Sequence, residues 1–193
     1  LKVGGRASCL YIPKNKKDLA VFLKQINNKV KINVFGRLSN VLIRDGGISG
    51  VTILIPPSFS EIEIHRNNKI TLSSGMLDKN VSKLAFDNNL GGFEFLSGIP
   101  GNIGGAIAMN AGCYGSEIKD IVEEVLILDR DGELKSYNNK EMKFSYRKSV
   151  IKKFFSSKAL RGFGKWLKVK AKLSQVIKPN ISPSNIFFPY FVS

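Results

Sequence analysis

The chain has 193 residues, 43% hydrophobic and 23% charged, a globular composition with enough length to bury a core in one or two domains. No apolar run approaches the roughly 18 residues of a spanning helix, no secretory leader is expected from the first ten residues, and two cysteines make neither a disulfide framework nor a metal-site spacing. The net charge of +15 invites a nucleic-acid reading, but residues 1–141 hold 18 Lys+Arg and all 15 acids, whereas residues 142–193 hold 12 basic residues and no acid. The basicity therefore belongs to the tail. Residue 1 is Leu, so the chain is expected to begin part-way into a longer protein or to have been processed. The cysteine usage implies a reducing cytoplasm, with Cys9 as a small buried residue.

In chain order, Ser8–Pro13 reads as a short strand. Over Asn15–Asn28 the residues Leu19, Val21, Phe22, Leu23 and Ile26 recur at roughly helical spacing with lysines opposite, which predicts a helix. Lys31–Phe35 alternates as a strand and runs into Gly36. After Asp45-Gly46-Gly47, Val51–Ile55 has the apolar run of a buried strand and stops at Pro56-Pro57. Glu61–His65 and Lys69–Leu72 flank Arg66-Asn67-Asn68 as a hairpin. His65, the single histidine, is expected at the surface without a catalytic role. Leu77–Leu90 predicts a helix that starts near Asp78 and stops at Gly91-Gly92. Val125–Leu128 and Glu133–Tyr137 form a second hairpin around Asp129-Arg130-Asp131-Gly132. Trp166–Leu173 alternates as one strand. The tail around it is irregular, with aromatic clusters at Phe154-Phe155 and Phe187–Phe191 and prolines at 179, 183 and 189. There is no internal repeat.

Three constellations carry chemistry. Residues 97–115 contain six glycines (98, 101, 104, 105, 112 and 115) among small apolar residues, with no charge. Glycine is conformationally expensive to order, so this density points to close backbone approach, either to a flat phosphate-bearing cofactor or within a packed loop. Phe35–Ile43 is a strand entering a turn with Gly36, Ser39 and Asn40. Such turns aim backbone N–H groups and short polar side chains into one concavity that suits a pyrophosphate, although Ser-Asn at a turn is also ordinary capping chemistry. The third is Phe144–Ser149, in which Arg147 stands between a hairpin and the tail.

Together and in this order, Ser39–Gly47, Glu94–Gly115 and Tyr146–Ser149, with Lys2–Ala7, resemble the UDP-N-acetylenolpyruvoylglucosamine reductase (MurB) family over about residues 2–150. The resemblance implies an α+β, two-lobed FAD-binding fold of the vanillyl-alcohol-oxidase (PCMH) type. It divides the chain into a first lobe at 1–58, a second at 59–150, and an atypical basic tail at 151–193 in place of a substrate-binding domain. It implies FAD and NADPH as cofactors and a UDP-sugar substrate whose enolpyruvyl ether is reduced on the route to bacterial peptidoglycan. A cytoplasmic monomer without metal, nucleic-acid partner or membrane partner is expected. By position, Gly36, Ser39, Asn40, Ile99, Pro100, Gly101, Gly104, Gly105, Asn110 and Gly112 match the family's FAD contacts. Arg147 matches the arginine that stabilises developing negative charge, a role suited to a permanently charged, bidentate guanidinium.

The chain also departs from the family. The first turn usually has glycine where this chain has Leu38, and often a small residue at Arg37, so Leu38 is expected to crowd the pyrophosphate. Nothing in residues 150–193 resembles the family's serine acid or its late glutamate, and no acid follows Glu141. Loss of the proton donor costs on the order of 10²–10⁴-fold. Two accounts of the tail stand: translation out of frame after roughly residue 150, or a native basic segment. A truncated remnant that at most binds FAD is thus the alternative to an active reductase, and tail-mediated binding to an anionic polymer or membrane is a third reading.

Overall fold

Alternation and helical spacing resolve into two main sheets, each with its own core. The structure is a computed structural model that describes residues 4–65, 69–151 and 167–172, the last as backbone. Strands β1 (Ala7–Tyr11), β2 (Ile32–Phe35) and β3 (Ile48–Leu54) form a parallel sheet in the order β1-β3-β2. Helix α1 (Lys16–Gln25) connects β1 to β2 and buries Leu19 and Leu23, the inward members of the predicted stripe. Asn15 caps it by accepting the Asp18 N–H at 2.9 Å, which satisfies one of the free N–H groups of the first turn. Leu19, Leu23, Val51, Ile53, Ile55, Phe59 and Leu128 form the first core. Phe59, assigned by sequence to the second lobe, packs in this first core.

The second sheet is antiparallel. It contains β4 (Ile62–His65), β5 (Lys69–Ser73), β8 (Val122–Leu128), β9 (Leu134–Asn138) and β10 (Leu167–Lys172), in the order β4-β5-β10-β8-β9. Against it lie α2 (Asp78–Asp87), a 3₁₀ turn (Glu94–Gly98), α3 (Ile103–Met109), the short pair β6 (Gly112–Cys113) and β7 (Ser116–Glu117), and α4 (Ile118–Ile121). The larger core runs through Ile70, Val81, Phe93, Leu96, Ile103, Ile107, Val125, Ile127 and Met142.

Several expectations shift. Both hairpins form, and the alternating Trp166–Leu173 segment supplies β10. This strand pairs Val169 with Leu72 on one side and Val125 on the other, so it is the central strand. The second sheet therefore draws six residues from beyond the boundary at 150. The aromatic clusters and prolines of the tail, and with them the two accounts of its origin, lie outside the described residues. Helix α2 stops at Asp87, before the glycines. The Asn88 N–H is shared by the Leu84 and Ala85 carbonyls, Asn89 takes φ +56°, and Leu90 N–H returns to Ala85 O at 2.8 Å, so an asparagine performs the left-handed stop. Cys9 is exposed: β1 is an edge strand, and no described element covers that side chain. His65 is half-buried, its Nε2 2.8 Å from Thr71 Oγ1.

The lobes are joined at a corner. Arg130, in the β8–β9 turn, is 3% exposed and donates through one terminal nitrogen to Asn27 O at 3.0 Å and to Val30 O. Burial pulls its guanidinium below the usual value. Lys16 and Glu61 add an ion pair across the same divide.

Candidate functional site

The first wall of the site begins where β2 ends. Phe35 O accepts the Ile55 N–H at 2.8 Å, and the chain then turns through residues 36–42. Gly36 lies against Asn102: a Cβ here would fall 2.2 Å from Asn102 Oδ1, so any side chain at this position would displace the Asn102 amide. Leu38 sits at φ +58°. A left-handed residue in a turn aims successive amides into one concavity. None of the amides of Leu38–Leu42 donates a hydrogen bond among the described residues, and Ser39 and Asn40 are exposed. Ser39 Oγ donates to Pro100 O at 2.8 Å, which fastens this turn to the glycine run.

The glycine run is the second wall, and half of it is a helix. Ile103, Ala106 and Ile107 are buried at helical spacing, so tertiary burial overrides the poor helix propensity of Gly104 and Gly105. The first amides of α3 are already used: Ile103 N–H bonds Met76 O and Gly104 N–H bonds Ser74 O, both at 2.9 Å. Among the described residues, the undonated amides therefore lie in the Leu38–Leu42 turn rather than at the start of the helix.

The glycines divide by what a side chain would meet. At Gly104 a Cβ would lie 2.9 Å from Ser74 Cβ, and at Gly112 2.8 Å from both Glu117 Cγ and Ser116 O, so these two serve close packing. At Gly105, which is exposed, the nearest atom would be Asn102 Oδ1 at 3.5 Å, leaving an open face. Gly101 lies between the walls, its Cβ position 3.1 Å from Asp78 Oδ2 and 3.3 Å from Ser39 Oγ. Ile99 is half-buried against the larger core, and Pro100 is exposed.

The other end of α3 holds Asn110 and Arg147. Asn110 is 3% exposed and left-handed at φ +46°. Its side-chain nitrogen donates to Glu117 Oε2 at 2.9 Å and to Ser145 O at 3.3 Å, and its oxygen accepts the Lys119 N–H at 2.9 Å. Lys119 and Asn110 together hold the Glu117 carboxyl below its usual range. Ser145 and Lys148 exchange two backbone hydrogen bonds at 3.0 Å around a tight turn whose tip is Tyr146-Arg147. Arg147 is exposed at φ +51°, its guanidinium carbon 5.6 Å from the centre of the Tyr146 ring. Ser149 Oγ ties the base of the turn to Ala108 O at 3.0 Å.

The predicted residues thus gather into two groups. Gly36, Ser39, Asn40, Ile99, Pro100, Gly101, Gly104 and Gly105 belong to the segments at the start of α3, and Asn110, Gly112 and Arg147 to those at its end. Seven helical residues separate them by about 10 Å. Sequence reasoning missed Asn102 as the partner of Gly36, and it read Asp78 only as a helix start. Asp78 is 1% exposed, its two oxygens have no hydrogen-bond partner among the described residues, and burial pushes its carboxyl to about 7. A lone acid at a helix start gives no sequence signal of burial.

No described helix is long and apolar enough to cross a membrane, and the described residues contain no group of three or more potential metal ligands. The family model described as FAD binding domain matches residues 7–138. Among curated proteins, the chain is 47% identical over 156 residues to UDP-N-acetylenolpyruvoylglucosamine reductase of Orientia tsutsugamushi strain Ikeda, covering 79% of this chain and 52% of that protein. It is 46% identical over 152 residues to the enzyme of the same name from Rickettsia canadensis, covering 79% and 51%. The chain spans about half the length of these relatives. Among solved structures, the UDP-N-acetylenolpyruvylglucosamine reductase (MurB) of Thermus caldophilus matches with TM-score 0.69 at 27% identity, over 86% of this chain and 55% of that one. A 6-hydroxy-D-nicotine oxidase from Arthrobacter nicotinovorans shares the fold, with TM-score 0.61 at 17% identity, over 90% and 38%.

Proposed function

The chain belongs to the FAD binding domain family, and we propose that it is the flavin-holding part of a reductase that uses NADPH to reduce the enolpyruvyl ether of a UDP-sugar in bacterial cell-wall synthesis. We place it in the cytoplasm as a monomer with no nucleic-acid or membrane partner. The observation that carries this reading is the Ser39–Pro100 hydrogen bond, which joins the two cofactor-type segments, in a chain 47% identical to a named reductase.

The residues present fit FAD. The undonated amides of Leu38–Leu42 and the Asn40 side chain offer hydrogen bonds to a pyrophosphate, and the bare face at Gly105 leaves room for a ligand along the run. Ile99, Pro100 and Gly101 lead into the start of α3, beside the Ser39 turn. When bound, FAD supplies hydride transfer between NADPH and the substrate double bond. The chain's own part is to hold and orient. Arg147, always charged, clamps the substrate carboxylate and stabilises the negative charge that develops on it. Its tight turn, fixed by Asn110 and Ser149, limits the freedom of that cation.

Purified protein should turn yellow with added FAD and consume NADPH only when the enolpyruvyl UDP-sugar is present. A colourless protein overturns the cofactor assignment. A yellow protein that leaves NADPH untouched overturns the reductase assignment and leaves cofactor binding alone.

A further inference from the structure

The carboxyl group of Asp78 takes no part in the chemistry assigned above, yet it lies directly behind the proposed phosphate wall. Asp78 opens α2, and its backbone N–H bonds Gly101 O at 3.3 Å. Its Oδ2 is 3.1 Å from the point where a Gly101 Cβ would stand, and Ser39 Oγ is 3.3 Å from the same point. Both carboxyl oxygens are buried and lack a hydrogen-bond partner among the described residues, as do Ser73 Oγ and Ser74 Oγ at the end of β5.

The surroundings carry little charge. The turn contributes Arg37 and α2 contributes Lys79, both exposed, while the 3₁₀ turn contributes exposed Glu94. Residues 97–115, which touch Asp78 through the Gly101 carbonyl, contain no charged side chain. Lys69 stands at the far end of β5, paired with Glu123 at 2.7 Å. Burial alone raises the carboxyl to about 7.

We propose that Asp78 couples uptake of a proton to binding of a phosphate-bearing ligand at the Ser39–Gly101 wall, an inference that rests on the FAD reading above. A buried carboxylate is already disfavoured and a nearby like charge disfavours it further, so an anion on one side of Gly101 favours the neutral carboxyl on the other. The proton comes from solvent. By linkage, acidification tightens ligand binding and ligand binding protonates Asp78. FAD carries no group that titrates near neutrality. Asp78→Asn leaves every other titratable side chain in place.

The test is calorimetric titration of FAD into the full chain in two buffers of different ionisation enthalpy, with flavin-fluorescence titrations across neutral pH. The wild type should take up close to one proton per FAD near pH 8, and its Kd should rise up to about tenfold per pH unit above about pH 7. Asp78→Asn, which keeps the shape and removes the titration, should show no such uptake and a flat Kd. Circular dichroism checks that the variant is folded. If it is not, the wild-type uptake decides alone, and none near pH 8 overturns the proposal. Equal uptake in both proteins overturns it as well. No FAD binding at any pH overturns the cofactor reading together with this inference.

Discussion

Replacing Leu38 separates backbone strain from side-chain bulk at the turn proposed to hold the pyrophosphate. Leu38 has φ +58° and its side chain is 43% exposed. A left-handed residue with a Cβ carries roughly 1–2 kcal/mol of strain. Glycine removes that strain but costs about 0.5–1 kcal/mol through the freedom it gains in the unfolded chain. It also gives up the packing of a side chain a little over half buried, about 1 kcal/mol if full burial contributes about 2. The terms nearly cancel, so Leu38→Gly should leave stability within about 1 kcal/mol of wild type, a shift of about 2–4 °C in Tm at this chain size. Leu38→Ala keeps the strain and loses the packing, so it should fall by about 1 kcal/mol.

The cofactor should respond differently. Removing the isobutyl group clears the turn in both variants, and only glycine also frees its amides to adjust. FAD should therefore bind Leu38→Gly up to about tenfold more tightly, worth about 1.4 kcal/mol, with Leu38→Ala in between. Thermal melts of the apoprotein and flavin-fluorescence titrations measure the two effects independently. A Leu38→Gly protein that binds FAD more weakly than wild type refutes the crowding argument. A loss in Tm well beyond about 4 °C refutes the strain argument.

Three further perturbations follow from the same geometry. Because burial raises Asp78 from 3.8 to about 7, its contribution to folding is fully favourable below about pH 4, declines as pH rises to about 7 and is level above, a total on the order of 4 kcal/mol; Asp78→Asn should flatten that part of the stability profile in urea titrations, and an unchanged profile removes the assignment. Arg130→Met keeps the stem but leaves the Asn27 and Val30 carbonyls without their donor, so the apoprotein should lose about 2–4 kcal/mol by urea melting, whereas a loss below about 0.5 kcal/mol makes the corner incidental. Gly104→Ala pushes a methyl to within 2.9 Å of Ser74 Cβ and should destabilise by about 1–3 kcal/mol. Gly105→Ala meets only Asn102 Oδ1 at 3.5 Å, so it should raise helix stability by about 0.5–1 kcal/mol and weaken FAD binding, and equal behaviour of the two variants contradicts the division of the glycines.

Elements set by local pattern were readable from the sequence. Leu19 and Leu23 announced the buried face of α1, and the spacing around Arg66-Asn67-Asn68 and Asp129–Gly132 announced both hairpins. Features set by distant chain were not. Gly104 and Gly105 look alike in sequence, and only Ser74, about thirty positions earlier, gives them different tasks. Helix α3 was hidden because its stability comes from burial of Ile103, Ala106 and Ile107 rather than from propensity. The place of β10 between β5 and β8 depends on partners far away in sequence, Val169 pairing with Leu72 on one side and Val125 on the other, which no local period encodes. The burial of Asp78 follows from the way residues 74–78 pair with 101–104.

These tertiary origins have a consequence for how the two halves of the site communicate. A seven-residue helix with two glycines has no stability of its own in water. Its position is imposed from both ends: by Ser74, Met76 and Asp78 at the start, and by Asn110 with Ser145, and Ala108 with Ser149, at the finish. The proposed phosphate wall and the Arg147 turn are thus attached to one short element that neither could orient alone. A change at the Asn110 corner should therefore shift not only Arg147 but also the register of Gly101 against Ser39. Cutting either tether is expected to weaken FAD binding even where the removed side chain touches no ligand.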